Sequence, residues 1–291
     1  MVGMKKRNTY LWLIVFLLPN FLGFILFIGF PIISSFGLSF TQWDLLGSIS
    51  FVGFDNYIRM VQDEEFWRAF RNTFLFIFGY LPLVMVFGLA CALLLNKQMK
   101  LRAFFRASYF LPVITSWVAV SLVWKWLYNP NYGLINYFLS LIGIDGPQWL
   151  HDPSTAMIGI ILASAWKDIG FVMVLFLGGL QNISPSYYEA GSIDGASKFR
   201  MLWSITIPLL GPTTFFVTVI SLINSFQVFD QVMIMTEGGP SGSTTVMVQN
   251  IYNYAFRYYE MGYASAMSWA LFIVIFFFTW LQIKFQDKGA N

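Results

Sequence analysis

Six stretches of about 20 mostly apolar residues recur along this chain, at 10–30, 72–95, 107–127, 156–180, 205–229 and 261–283, and that is the length a helix needs to span a bilayer. Inside lipid a backbone without water satisfies its own hydrogen bonds by coiling into helices. The expected fold is therefore an all-α polytopic membrane protein with six transmembrane helices, organised as one domain over residues 1–291. Composition supports the class: 57% of residues are apolar and 11% charged, against about 25% charged in soluble domains. Polar residues to cover a soluble core of this size are missing.

Charge asymmetry orients the spans. With the N-terminus inside, the inner segments hold Lys5, Lys6, Arg7, Lys97, Lys100, Arg102, Arg106, Lys198, Arg200, Lys284 and Lys288. The outer loops hold only Arg59, Arg68, Arg71 and Arg257, together with acidic residues such as Asp63, Glu64, Glu65, Asp145 and Asp152. Both termini are expected in the cytoplasm. The first stretch follows Lys5-Lys6-Arg7 but is too long for a signal peptide's apolar run and no small-residue cleavage site follows, so it reads as an uncleaved span. The outer segment DEEFWRAF (63–70) carries aromatics at helical spacing and reads as a short amphipathic helix on the outer surface. A net charge of +3 with scattered basic residues gives no nucleic-acid surface. Cys91 alone excludes an intrachain disulfide, and His151, the single histidine, sits in an outer loop, so neither points to a metal.

Between the fourth and fifth stretches lies YYEAGSIDGASKFRMLWSITIPL (187–209). Ser184-Pro185 is a helix start, Gly195 permits a sharp bend, and a second short helix is expected from about Ala196 to Pro208. Two short helices hinged at a glycine make a rigid cytoplasmic knob; an ordinary connecting loop is the other reading of the same residues.

This loop resembles the EAA motif of binding-protein-dependent ABC importer permeases: Glu-Ala-Ala, three residues, Gly, nine residues, then Ile-x-Leu-Pro. Glu189, Ala190, Gly195, Ile205 and Pro208 match in type and spacing, with Gly191 in place of the third Ala and Ile207 in place of Leu. FVGFDNY (51–57), FWRAFRNT (66–73), RAFFRASYFLP (102–112), IDGASKF (193–199) and FDQVMIMTEGGPSGST (229–244) resemble the sugar branch of that family, and within it the first, maltose-transporter-type permease of the pair, over about 18–285. The resemblance implies a type I importer permease fold in a bacterial or archaeal cytoplasmic membrane. It implies that Glu189, Ala190, Gly191, Asp194, Gly195, Ala196, Ile205 and Pro208 form a coupling helix seated in a cytoplasmic ATPase. The implied partners are a second, similar permease, two ATPase copies, an extracytoplasmic solute-binding protein, the carbohydrate cargo and membrane lipid. The chain contains no G-x-x-x-x-G-K-[ST] loop to cradle phosphates. ATP and Mg therefore belong to the partner, and this chain is expected to be a transport subunit without a cofactor or enzymatic activity. Glu189 reads as an electrostatic pin to the ATPase or as a cap on its own helix.

Polar side chains at mid-membrane are costly and mark pathways. Ser164, Trp166, Lys167 and Asp168 lie near mid-depth of the fourth stretch; Ser221, Asn224, Gln227 and Gln231 of the fifth are spaced for one helix face, with Ser225 and Asp230 beside it. Amides and carboxylates for hydroxyls, with an aromatic plane for CH faces, suit a sugar. By resemblance, the substrate site takes in Ser164, Trp166, Asp168, Ser221, Ser225, Gln227 and Val228, and Asn224 joins them by spacing. Each serine also has the option of bonding back to a helical carbonyl, and the amides that of joining helices. Lys167 has a partner beside it in Asp168, and pairing is preferred over a ligand role. Polyol or glycerol-phosphate cargo in the same architecture, and an ion-coupled secondary transporter using Lys167 and Asp168, are the alternatives. The latter class carries internal repeats that this sequence lacks.

Overall fold

A computed structural model describes residues 2–97 and 100–289. The chain divides into two compact units, one taking the chain up to Asp63 with Ile251–Phe272, the other Glu64–Asn250 and the chain from Ile273 onward.

The first unit opens with helix α1 (Val2–Phe24), passes through a wide turn at Ile25–Gly29 and continues as α2 (Phe30–Leu38). Trp12–Leu38 is long and apolar enough to cross a membrane, and none of its side chains is buried within the chain. A two-residue antiparallel ladder, β1 (Thr41–Gln42) with β2 (Ser50–Phe51), pairs Thr41 with Phe51. Helix α3 (Asp55–Gln62) packs on it through Asn56, whose amide donates to the carbonyls of Ser39 and Thr41, both at 2.9 Å. Arg59 forms an ion pair with Glu260 and lies 4.2 Å from the centre of the Tyr263 ring. Outside the spans, that carboxylate raises the guanidinium pKa against the opposing effect of burial.

The predicted surface helix at 63–70 is not a separate element. Asp63 is extended and ends α3, and from Glu64 a single helix, α4, runs 33 residues to Asn96. No residue in 64–70 breaks a helix, so the aromatic start of this segment is the first two turns of the second span.

The second unit is built on α4 and α8 (Ala156–Gln181), with α5 (Arg102–Ile114), α6 (Trp117–Leu127) and α7 (Leu134–Leu141) between them in the chain. In α8, 61% of the apolar window is buried, against 28% in α4, so α8 is the interior helix of this unit. Close approach of backbones supplies packing where lipid offers no hydrophobic drive. Gly88 of α4 leaves room for Val172, and Gly170 of α8 for the main chain at Tyr109; a Cβ at either would overlap those atoms.

Two predicted spans are broken. The stretch at 107–127 is α5 and α6 meeting at 100°. Pro112 lies in the last turn of α5, Thr115 is extended, and Ser116 caps α6 by accepting from the Val118 N–H at 3.2 Å. The stretch at 205–229 is also two pieces, 198–209 and Gly211–Phe226, which meet at 66°. The helices after α8 are Pro185–Ile193 (α9), Lys198–Met201 (α10), Ile207–Leu209 (α11), Gly211–Phe226 (α12), Asp230–Met235 (α13), Met247–Tyr252 (α14) and Met261–Gly289 (α15); the piece at 198–209 is α10, the wide turn Leu202–Thr206 and α11. Pro208 and Pro212 flank the bend. The described residues hold four helices long and apolar enough to span, and up to six spans if each bent pair counts as one.

Gly170→Ala is expected to destabilise the protein by about 2 kcal/mol through overpacking, read as a lower thermal unfolding temperature in detergent. Gly178→Ala on the same helix, whose Cβ meets nothing within 4 Å, should change stability by less than about 1 kcal/mol.

Candidate functional site

The breaks in the two bent segments decide where the polar residues go. Helix α12 stops at Phe226, and Gln227, Val228 and Phe229 are not helical before α13 begins at Asp230. Ser221, Asn224, Gln227 and Gln231 therefore do not share one helix face as their spacing predicts. The irregular turn gathers several of them in another way. A cavity of about 300 Å³, at the lower end of the range for small-molecule sites, is lined by Asn224, Ser225, Gln227, Val228, Asp230 and Gln231 from this segment. Asp168 enters from α8, Phe76 and Tyr80 from α4, and Trp117 from the first turn of α6. Asn224, Gln227 and Asp230 are exposed where they line it.

Tyr80 donates its hydroxyl to Asp168 Oδ2 at 2.9 Å, fixing the carboxylate. Gln231 is buried and donates to Ser164 Oγ at 3.3 Å; Ser164 is wholly buried and lies behind the cavity wall. Ser225 turns its hydroxyl to the Leu222 carbonyl at 2.7 Å, the local bond open to any helical serine. Ser221 is buried outside the lining, and Val228 contributes a buried wall.

Trp166 goes elsewhere. Two residues before Asp168 on a helix, it points to nearly the opposite side, is 48% exposed and meets Trp124 edge-on at 5.6 Å. There it lines an apolar hollow with Leu111, Pro112 and Val123. The aromatic plane beside the amides is Trp117 instead, which the sequence reading passed over. Its signal was the Pro112 break and the Ser116 cap, which end one helix and aim the first residue of the next sideways.

Lys167 does not turn to Asp168. Its ammonium donates to the Val113 carbonyl at 3.1 Å and lies 4.6 Å from the centre of the Trp117 ring. Ending α5 at Ile114 leaves carbonyls of its last turn without helical donors, and a cation at a helix C-terminus is also favoured by the dipole. Lys167, 4% exposed, thus caps the break and steadies the tryptophan without facing the cavity.

The second candidate site is the loop after α8. Ser184 caps α9, accepting from the Ser186 N–H at 3.4 Å, with Pro185 in the first turn. At the other end Gly195, at φ +73°, follows the Asp194 cap; its N–H bonds Ser192 O at 3.2 Å and the Ala196 N–H bonds Gly191 O at 2.9 Å. This double closure is a Schellman motif, which needs a left-handed residue at that point. The following helix starts at Lys198, later than the predicted Ala196, because Ser197 is its cap. Ile205 and Met201 pack over Gly191, where a Cβ would stand 3.1 Å from Ile205 Cδ1, and Tyr188 shares a 3.0 Å hydrogen bond with Thr206. The two arms are thus clasped. Pro208 opens the short turn into the bend. Glu189 and Ala190 are exposed, as are Tyr187, Ile193 at 86% and Phe199 at 71%.

Several apolar helices with a polar cavity among them are the marks of a multi-pass membrane protein. Residues 84–288 match the family model for the binding-protein-dependent transport system inner membrane component. The chain belongs to that family. It is 35% identical over 285 residues, covering 97% of this chain and 95% of the other, to the trehalose/maltose transport system permease protein MalF of Thermococcus litoralis. It is also 35% identical over 263 residues, 88% and 87% covered, to the lactose transport system permease protein LacF of Rhizobium radiobacter. The crystal structure of a bacterial ABC transporter that imports the acidic polysaccharide alginate superposes with a TM-score of 0.86 at 25% identity, covering 99% of both chains.

Lys167→Met is expected to leave the Val113 carbonyl unsatisfied and to cost about 2 kcal/mol, measured as a drop in thermal unfolding temperature in detergent.

Proposed function

We propose that this chain is the permease subunit of an ATP-driven importer that carries a carbohydrate, an oligosaccharide or related glycoside, across a bacterial or archaeal cytoplasmic membrane. It acts as one permease domain with six spans, of which the third and fifth are bent, and with both termini in the cytoplasm. A second, similar permease completes the pathway. Two copies of an ATPase bind and hydrolyse ATP with Mg, and an extracytoplasmic binding protein delivers cargo. This chain is a transport subunit and holds no cofactor of its own.

The observation that carries the reading is the clasped knob. Exposed Tyr187, Ile193, Phe199 and Trp203 around Glu189 form a concentration of apolar surface that a free loop has no reason to keep. Its clasp at Gly191, Tyr188 and Gly195 gives it the stiffness of a lever. Seated in an ATPase groove, it moves with its socket when ATP closes the motor. Glu189 then pins the knob to a basic residue of that groove, with Ala190 forming the close-fitting surface and Gly191 letting Ile205 and Met201 close over α9 from behind. Asp194, Gly195 and Ala196 make the bend, and Ile205 and Pro208 carry the movement into the fifth span. A carbohydrate reading of the cavity is supported by its mix of amides, carboxylates and an aromatic plane. The names of the trehalose/maltose and lactose relatives point the same way.

Glu189→Lys should abolish uptake in whole cells while membrane insertion, read by immunoblot of the membrane fraction, stays normal; uptake at the unmodified rate would refute the lever. Trp117→Ala and Gln227→Ala should each raise the half-saturation concentration for cargo about tenfold, a loss of roughly 1.4 kcal/mol. Trp166→Ala, on the apolar hollow, should shift it far less.

A further inference from the structure

The cavity carries negative groups and no positive one. Asp168 and Asp230 line it together with the amides of Asn224 and Gln227, and among the described residues no Lys, Arg or His does. The two nearby lysines are engaged away from it. Lys167 is held on the Val113 carbonyl behind the Trp117 ring, and Lys125 donates to the Ile234 carbonyl at 3.4 Å. We infer that this cavity selects its cargo by charge, accepting uncharged or amino-bearing sugars and rejecting acidic ones. The inference rests on the reading of the cavity as the cargo site.

The chemistry follows from the lining. Hydroxyls of a neutral sugar donate to a carboxylate in charge-assisted hydrogen bonds, about twice as strong as neutral ones. The amides offer donors and acceptors to the remaining hydroxyls, and Trp117 presents an aromatic ring, steadied by Lys167, to a CH face. An amine on the sugar adds a direct attraction to Asp168 or Asp230. A uronate meets the same two carboxylates with no cation in the lining to receive it, Lys167 lying behind the Trp117 ring, and such repulsion grows as water is excluded. Rejection by an uncompensated like charge is a recognised route to specificity. Here the rejecting group is also a binding group, since Tyr80 holds the Asp168 carboxylate at the wall. The solved importer of similar fold carries an acidic polysaccharide, so the backbone architecture leaves cargo charge open and the side chains of this cavity set it.

The test uses the permease in its purified complex, without a binding protein, so that only the membrane site selects. Three probes share one backbone and differ at C6: maltotriose, the same trisaccharide oxidised to carboxylates there, and the same trisaccharide carrying amines there. Binding is read by saturation-transfer NMR. The neutral and amino probes should bind, and the oxidised probe should bind at least about tenfold more weakly. In the Asp168→Asn, Asp230→Asn double variant, isosteric at both positions, the oxidised probe should gain about tenfold relative to maltotriose and the amino probe should lose its advantage. Oxidised and neutral probes binding equally to the unmodified protein, or an unchanged ratio in a double variant of normal thermal stability, would overturn charge selection. Trp117→Ala and Gln227→Ala separate the two layers. If they abolish maltotriose binding while the unmodified protein binds the oxidised probe as well as maltotriose, only charge selection fails. If they leave maltotriose binding intact, the cavity is not the cargo site and both readings fall.

Discussion

A helix that breaks inside a membrane leaves carbonyls that no water will satisfy, and each must find a donor within the protein. The bond from Lys167 to the Val113 carbonyl meets that demand at the sharper of the two bent helix pairs. Because α5 can end there, α6 can leave at 100° and deliver Trp117 into the cavity instead of into lipid. The same ammonium lies on the tryptophan ring, so one buried cation both permits the bend and fixes its product. A charged side chain at membrane depth is costly; here it is retained as architecture, which explains why its neighbour Asp168 is left free to take the Tyr80 hydroxyl and face the cavity.

The segment after α12 makes the complementary case. Gln227, Val228 and Phe229 leave the helix without an intervening proline or glycine, and polar groups released there gather with Asn224 and Asp230 on the cavity wall. Irregular backbone at membrane depth is tolerated where it lines a cavity. Downstream, the amide of Asn72 in α4 donates to the carbonyls of Gly242 and Thr245 at 2.9 and 3.0 Å. That ties the glycine-rich loop beyond α13 to the long helix, so the irregular turn is held from both ends.

What the sequence disclosed follows from which physical signals are local. Apolar runs, the Ser184-Pro185 start and the Gly195 bend depend on nearest neighbours; the cap and the left-handed glycine lie where those signals put them, while two of the six apolar runs are bent pairs. Helical spacing puts Ser221, Asn224, Gln227 and Gln231 on one face, and spacing holds only while the helix does. Gln227 and Gln231 come to the wall of the cavity by the chain's leaving its helix, not by periodicity. Trp166 and Trp117 show the same limit from the other side. Side-chain direction at 166 follows from ordinary helix geometry and points away from Asp168, whereas that of Trp117 depends on a bend whose carbonyls are answered by a residue far along the chain. Asp168 and Lys167, adjacent in sequence, look like partners until their separation around the helix axis and their distant ligands are known.

The cavity and the knob are joined by geometry as well as by sequence. Helix α8 carries Asp168 and runs directly into the knob through Gln181; the knob runs through Pro208 into α12, which carries Asn224. At 1.5 Å per residue each of these arms is about 20 Å long, so both cavity-bearing helices are levers of similar reach rooted in one clasped element. Under the proposed function, a displacement of the knob cannot move one wall alone. On that reading the push reaches Asn224 through the 66° bend between 198–209 and α12 and Asp168 through α8, and unequal swing of the two arms changes the spacing between Asp168 and Asn224. A change in that spacing alters how many sugar hydroxyls the wall can reach at once, which is the differential affinity between two states that a conformational cycle requires. On that reading, the clasp at Gly191 matters as much as Glu189: a knob that flexed would absorb the push before it reached the cargo.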